Sequence, residues 1–255
     1  VHKPVTYKSA AVDTNYFDDP AYFDQLWFDE YSPNNLYGSN FEYVRKNEVN
    51  NLGRKLRIAV IDSGKINHED VKYSEVGYDF ITNEGNNPDG TALTKLRDSD
   101  PTDFVVFNDD STCINGHGNG VSSLISATSN NGKGIVGGIS SDFVDIIPIR
   151  ALGCEGSGSS TDILEAALWS AGESIAGIPD IAEPVDIINL SLAGASEIGC
   201  PDYEQEVFDR LRELGVTVVV AAGNENVDTA NMIPAACSKV ITVGAIDSTG
   251  DKANY

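Results

Sequence analysis

Positive charge is scarce in this sequence. Seventeen lysines and arginines stand against 39 aspartates and glutamates, giving a net charge of −22 and a pI near 4.2. That balance argues against nucleic acid or an anionic membrane surface as a partner. It favours solubility and cation binding, and it suits a saline or extracellular setting. Long apolar runs are absent too, none approaching the ~20 residues that a membrane span needs. No C-x-x-C pair occurs, so the common spacing of a zinc site is missing. There is no internal repeat and no low-complexity linker, and 255 residues suffice for one sizeable core, so a single α/β domain is expected. No basic-then-apolar leader stands before Val1. A secreted protein would therefore have shed its leader and pro-segment ahead of this numbering.

The four cysteines are Cys113, Cys154, Cys200 and Cys237. An even count fits two disulfides, for which three pairings exist; isolated reduced core cysteines are the alternative. Cys113 and Cys200 lie in polar loop sequence rather than in apolar runs, which favours disulfides and an oxidising compartment. The expected pairs are Cys113 with Cys154 and Cys200 with Cys237.

Against these absences stands one dense stretch, Leu56-Arg57-Ile58-Ala59-Val60-Ile61-Asp62-Ser63-Gly64. Its mostly β-branched apolar run reads as a strand, 56–61, buried on both faces of a sheet. Further strands are expected over 143–149, 186–190, 216–221 and 240–245, and helices over 117–128, 162–176 and 203–214. The second helix would open with Asp162 and carry Glu165 three residues on. Alternation of this kind implies a doubly wound, mostly parallel sheet with helices on both faces. Residues 1–54 read as an irregular arm packed on the 55–255 domain through Phe23, Leu26, Trp27 and Phe28, with Tyr31 to Asn35 as turn chemistry. Trp27 and Trp169 are expected in the core. The acidic segment holding Asp98, Asp100, Asp103, Asp109 and Asp110 reads as a solvated loop, with a second cation site there as the sharper alternative.

Asp62 ends a buried strand, where open α/β sheets place their chemistry. His117 follows in Asn115-Gly116-His117-Gly118, and Asn224 ends the run Val218 to Asn224. An aspartate can fix one imidazole nitrogen while the other serves a hydroxyl nucleophile. Gly116 and Gly118 would allow close backbone approach. A side-chain amide at a strand end can donate to a developing oxyanion. Each residue alone has a bland reading as a turn or structural group. His2 and His68 lack any such context.

Together these residues resemble the subtilisin-like serine proteases, the subtilases. The resemblance rests on Val60 to Gly64, Gly116-His117-Gly118, Ala221 to Asn224, Ile188 to Leu192, and Leu152-Gly153 followed by Gly156-Ser157-Gly158, in the family's order. It implies a secreted endopeptidase acting on protein or peptide substrates through an acyl-enzyme, as a monomer matured from its own pro-segment. Asp62 would orient, His117 act as base and Asn224 stabilise the oxyanion. Gly156, Ser157 and Gly158 would pair with an extended substrate, and Ser191, Leu192, Ala193 and Gly194 would form the opposite wall. A structural calcium is implied at Asp70 and Asn131, with the carbonyls of Ser129, Lys133 and Ile135. Two departures stand out. Asn119 and Gly120 replace the family's Thr-His after the catalytic histidine, and no Gly-Thr-Ser-Met-Ala segment occurs. The nucleophile is therefore expected beyond Tyr255, the chain being the amino-terminal part of a catalytic domain. The alternatives are a catalytically dead subtilase-like protein that binds peptides or acts as a scaffold, and a calcium-dependent binding domain.

Overall fold

Seven residues, Leu56–Asp62, form the central strand β1, and their alternation decides where everything else packs. The computed structural model describes residues 17–25, 27–28, 38–41, 43, 45, 53–87, 89–94 and 97–255. The sheet contains β1, β2 (Tyr78–Asp79), β3 (Val144–Arg150), β4 (Ile187–Leu190), β5 (Thr217–Ala221) and β6 (Val240–Val243). Their order across the sheet is β6-β5-β4-β1-β3-β2, and every pairing is parallel. β1 lies between β3 and β4, with Asp62 level with Arg150.

Successive strand residues face opposite sides of a sheet. Ala59 and Ile61 point into the larger core, where they meet Ile147, Ile149, Ile188, Leu190, Val218 and Val220. That face is covered by α2 (Ser160–Ser170) and α3 (Asp202–Glu213), through Leu164, Ala166, Ala167, Phe208 and Leu211. Ile58 and Val60 point the other way, with Val144 and Ile146, under Val121 and Ile125 of α1 (His117–Ser126). Helices therefore cover both faces, and the chain is a doubly wound α/β protein with a parallel sheet.

α2 spans less than its sequence pattern implies, ending at Ser170 instead of 176. Gly172 takes φ +94° and donates to the Trp169 carbonyl, while Glu173 donates to that of Leu168. A glycine in the left-handed region closes the helix. Nor does Asp162 cap it. The helix already starts at Ser160, and the buried Asp162 carboxylate accepts from Thr82 and pairs with Arg97, which also pairs with Glu165.

In the arm, Phe17 and Phe28 bury against Val136 with Tyr22 beside them. The Gln25 side chain hydrogen-bonds both the N–H and the C=O of Val136. Phe23 and Trp27 are instead 65% and 40% exposed, because an arm lying on the surface covers only one side of its turns. Leu26 and Tyr31 to Asn35 lie outside the described residues. Trp169 does sit in the core. Both disulfides join the expected partners, Cys113 with Cys154 and Cys200 with Cys237.

Beside Asp62, Arg150 is fully buried between Asp79 and Glu84, donating to Asp79 at 2.8 Å and to both carboxylate oxygens of Glu84. These two carboxylates hold the guanidinium well above its ordinary value despite the opposing effect of burial. Removing one partner of a buried ionic cluster strands the others. Arg150→Met is expected to destabilise the fold by about 3–5 kcal/mol, measured by denaturant unfolding; an unchanged midpoint would show that the cluster does not anchor the β2–β3 edge.

Candidate active site

The carboxylate of Asp62 is fully buried at the end of β1, and His117 is the first residue of α1. The imidazole Nδ1 lies 2.8 Å and 3.0 Å from the two Asp62 oxygens. Ser63 N–H donates to the same carboxylate at 2.7 Å. Burial pushes the Asp62 carboxyl above its ordinary value, and the hydrogen bonds from His117 and Ser63 pull it only partly back. An acceptor deprived of water in this way binds the N–H of a neighbouring imidazole, leaving the other ring nitrogen for chemistry. The histidine side chain is 53% exposed, so that nitrogen is accessible.

Gly118 makes this approach possible. A Cβ there would lie 2.5 Å from the Gly64 carbonyl oxygen and 3.2 Å from the Asp62 Cβ. Gly116 serves differently from expectation. A Cβ on it would meet nothing nearer than Ile66 at 3.8 Å, but its φ of +81° places it in the left-handed region as the residue that starts α1.

A second aspartate holds the histidine turn. Asp103 accepts from Asn115 N–H at 3.1 Å, Gly116 N–H at 2.6 Å and the Ser63 hydroxyl at 2.9 Å. Ser63 Oγ in turn accepts from Gly118 N–H at 3.0 Å. One buried carboxylate thus ties the residue after Asp62 to both sides of His117. The sequence placed Asp103 in a solvated acidic loop, and for this residue that is overturned: it is buried, whereas Asp100, Asp109 and Asp110 are exposed.

His117 borders a cleft of about 410 Å³ whose walls include Gly156, Ser157 and Gly158 on one side and Ser191 to Gly194 on the other. The rims are tied together. Asn115 donates its side-chain amide to the Cys154 carbonyl at 3.0 Å, and the Cys113–Cys154 disulfide joins the same two segments. On the opposite wall, Gly194–Ala195 pairs antiparallel with Met232–Ile233. Asn224 is not among the residues that line this cleft. It is exposed and follows Gly223, where a Cβ would lie 3.5 Å from that of Ala193. The structure thus brings Asp62, His117 and both rims together, and Asn224 is exposed outside the set of lining residues.

Of the expected calcium ligands, Asp70 meets the loop that holds the others. Asp70 accepts from the Asn131 amide N–H at 2.9 Å and from Ile135 N–H at 3.1 Å, and the Asn131 oxygen accepts from Lys133 N–H at 2.9 Å. The set is of the right chemical kind for a hard cation. Lys133 pairs through its ammonium with Glu69. The arm contributes Asp19, which accepts from Asn130 N–H at 2.8 Å. Among the described residues no helix is long and apolar enough to cross a membrane.

Residues 53–255 match the model of the subtilase family. An extracellular basic protease of Dichelobacter nodosus is 33% identical over an alignment of 254 positions that covers 91% of this chain and 41% of that protein. An extracellular protease of Xanthomonas campestris pv. campestris is 35% identical over an alignment of 207 positions that covers 78% of this chain and 34% of that protein. The chain therefore spans less than half the length of these curated relatives. A solved protease structure from Pseudoalteromonas arctica superposes with a TM-score of 0.74 at 31% identity, covering 94% of this chain and 68% of the other.

The Asp103 contacts generate a prediction. Asp103→Asn replaces one acceptor oxygen by a donor facing N–H groups, which shifts the turn that carries the imidazole. Displacements of about 1 Å at a reacting group cost about 10²-fold. A fall of that size in kcat with KM nearly unchanged is expected for the full-length protein; equal kinetics in variant and wild type would remove Asp103 from the site.

Proposed function

The chain belongs to the subtilase family, and from that premise we propose that it supplies the Asp–His pair and the substrate cleft of a secreted serine endopeptidase. The observation that carries this reading is the buried Asp62 carboxylate 2.8 Å from a half-exposed imidazole at the edge of a cleft. A serine hydroxyl outside these 255 residues is the nucleophile. Its proton passes to the free Nε2 of His117 as the oxygen attacks the scissile carbonyl. Asp62 keeps the Nδ1 proton in place and stabilises the imidazolium. Asn224 donates to the oxygen that gains negative charge. His117 then returns the proton to the leaving amine, and water releases the acyl group by the same route reversed.

The backbone of Gly156 to Gly158 accepts the substrate as an added strand. Gly158 suits this tight bend, since a Cβ on it would collide with the Ala151 carbonyl. The two disulfides fit an oxidising compartment, and two relatives carry names that place them outside the cell. We also propose, as the family implies, maturation from a pro-segment, action as a monomer, and an arm over residues 1–54 that packs on the 55–255 unit. Calcium belongs to the proposal through one rearrangement: the Asn131 amide turns its oxygen toward the Asp70 carboxylate. Asp70, Asn131 and the carbonyls of Ser129, Lys133 and Ile135 would then hold the ion, whose part is to stiffen the loop.

Four measurements test these statements. In the full-length protein, Asp62→Asn is expected to lower kcat by about 10⁴-fold, and His117→Ala to abolish labelling by an organophosphate. Asp62 is held above its ordinary value, so its contribution to stability is complete at acid pH and is lost as pH rises through the folded-state value. Ionised Asp62 therefore costs stability at neutral pH, and the Asn variant should melt no lower than wild type. Absence of both labelling and hydrolysis in wild type would favour the dead, peptide-binding alternative. For calcium, chelation is expected to lower Tm by about 5 °C; an unchanged Tm removes the ion from the proposal.

A further inference from the structure

One residue of the cleft is out of keeping with its neighbours. Glu204 lines the same cavity as His117, yet it is only 3% exposed, and its walls are Ile163, Leu164, Leu192 and Phe208. A carboxylate so placed has lost its water. Burial accordingly drives its carboxyl above the ordinary value, and only two neutral hydroxyls compensate, Tyr203 Oη at 3.2 Å and Ser160. Among the described residues no lysine or arginine pairs with it.

Helix electrostatics do not account for this placement. Glu204 lies in the first turn of α3, where a negative charge is favoured, but Asp202 occupies the same turn while remaining exposed. A carboxylate serving only the helix would stay in water, as Asp202 does. What distinguishes Glu204 is that it is buried and yet lines the cleft. An apolar passage ending on a lone carboxylate complements a side chain with a long hydrocarbon stem and a cationic head.

We propose that Glu204 is a specificity-determining residue, and that the cleft selects peptides carrying lysine or arginine at the position whose side chain enters the pocket formed by Ile163, Leu164, Leu192 and Phe208. The cationic head forms charge-assisted hydrogen bonds with the Glu204 carboxylate, bidentate in the case of arginine. Binding restores the partner that burial removed, so a neutral side chain of equal length is disfavoured by an unpaired acceptor as well as by a lost attraction. The inference rests on the peptidase reading for its substrate class.

The test uses the full-length protein and internally quenched peptides in which one lysine is walked through a neutral sequence, with norleucine at each position as reference. Binding of the same peptides is titrated by fluorescence anisotropy. One position is expected to favour lysine or arginine over norleucine by about ten- to a hundredfold. That ratio falls to near unity in Glu204→Gln and is partly kept in Glu204→Asp. Replacing lysine by acetyl-lysine at that position gives the same loss in wild type, without reliance on the folding of a variant. Hydrolysis of neutral and basic peptides alike, with no preference in binding, overturns the proposal and leaves the peptidase reading standing. A binding preference removed by Glu204→Gln, with no peptide cleaved, supports the pocket and overturns the peptidase reading. A preference that survives Glu204→Gln overturns the assignment to this residue.

Discussion

Burying the polar end of β1 away from water is the constraint on which the rest of the structure depends. Asp62, Ser63, Asp103 and Arg150 are all essentially inaccessible, and each buried donor or acceptor left without a partner costs about 1–3 kcal/mol. The chain meets most of that demand with a connected set of bonds, leaving Arg150 Nε of this group without a partner. Ala151 and Leu152 N–H groups take the Asp62 carbonyl, Ser63 links Asp103 to Gly118, and Asp103 gathers the turn before α1. What satisfies these groups also aims His117. Positioning of the imidazole that we propose as the base is thus a by-product of solving a burial problem.

The cleft inherits its rigidity from the same region. The carbonyl of Asp62 binds the start of the 151–158 segment, and the Cys113–Cys154 disulfide holds that segment to the strand before His117. His117 and the 156–158 rim are consequently fixed to one strand end, while the opposite wall comes from the end of β4 and from Ile233 and Pro234 beside it. A peptide lying between them would meet donors held by two independent parts of the sheet. Preorganisation of this kind lowers the ordering cost of binding.

Much of this was legible beforehand because it depends on local pattern. Continuous apolar runs marked every strand of the six-stranded sheet but the two-residue β2, and Asp62, His117 and the two glycine- and serine-containing rims lay at strand or helix ends. The misreadings share a cause. Asp162 looks like the opening of a helix until Arg97, 65 residues away in sequence, claims its carboxylate. Phe23 and Trp27 read as core because hydrophobicity does not say which side of an arm meets the domain. Asp103 sits among solvated acids in sequence and is buried by contacts with residues 12 to 40 positions distant. Gly172 is the exception, a local stop signal that could have ended the helix prediction at 170.

By itself the sequence determined the α/β class, the order of the strands and helices, and the residues able to carry acid–base chemistry, since these follow from period, branching and side-chain type along short stretches. The tertiary structure alone decided which carboxylates lose their water. Asp62, Asp103, Asp162 and Glu204 are indistinguishable in composition from the exposed acids of this very acidic chain. Their differences arise from what other segments bring against them. Desolvation belongs to the packed whole, and here it separates the histidine's carboxylate partner, a buried clamp, a helix-edge ion pair and a proposed specificity residue from ordinary surface charge.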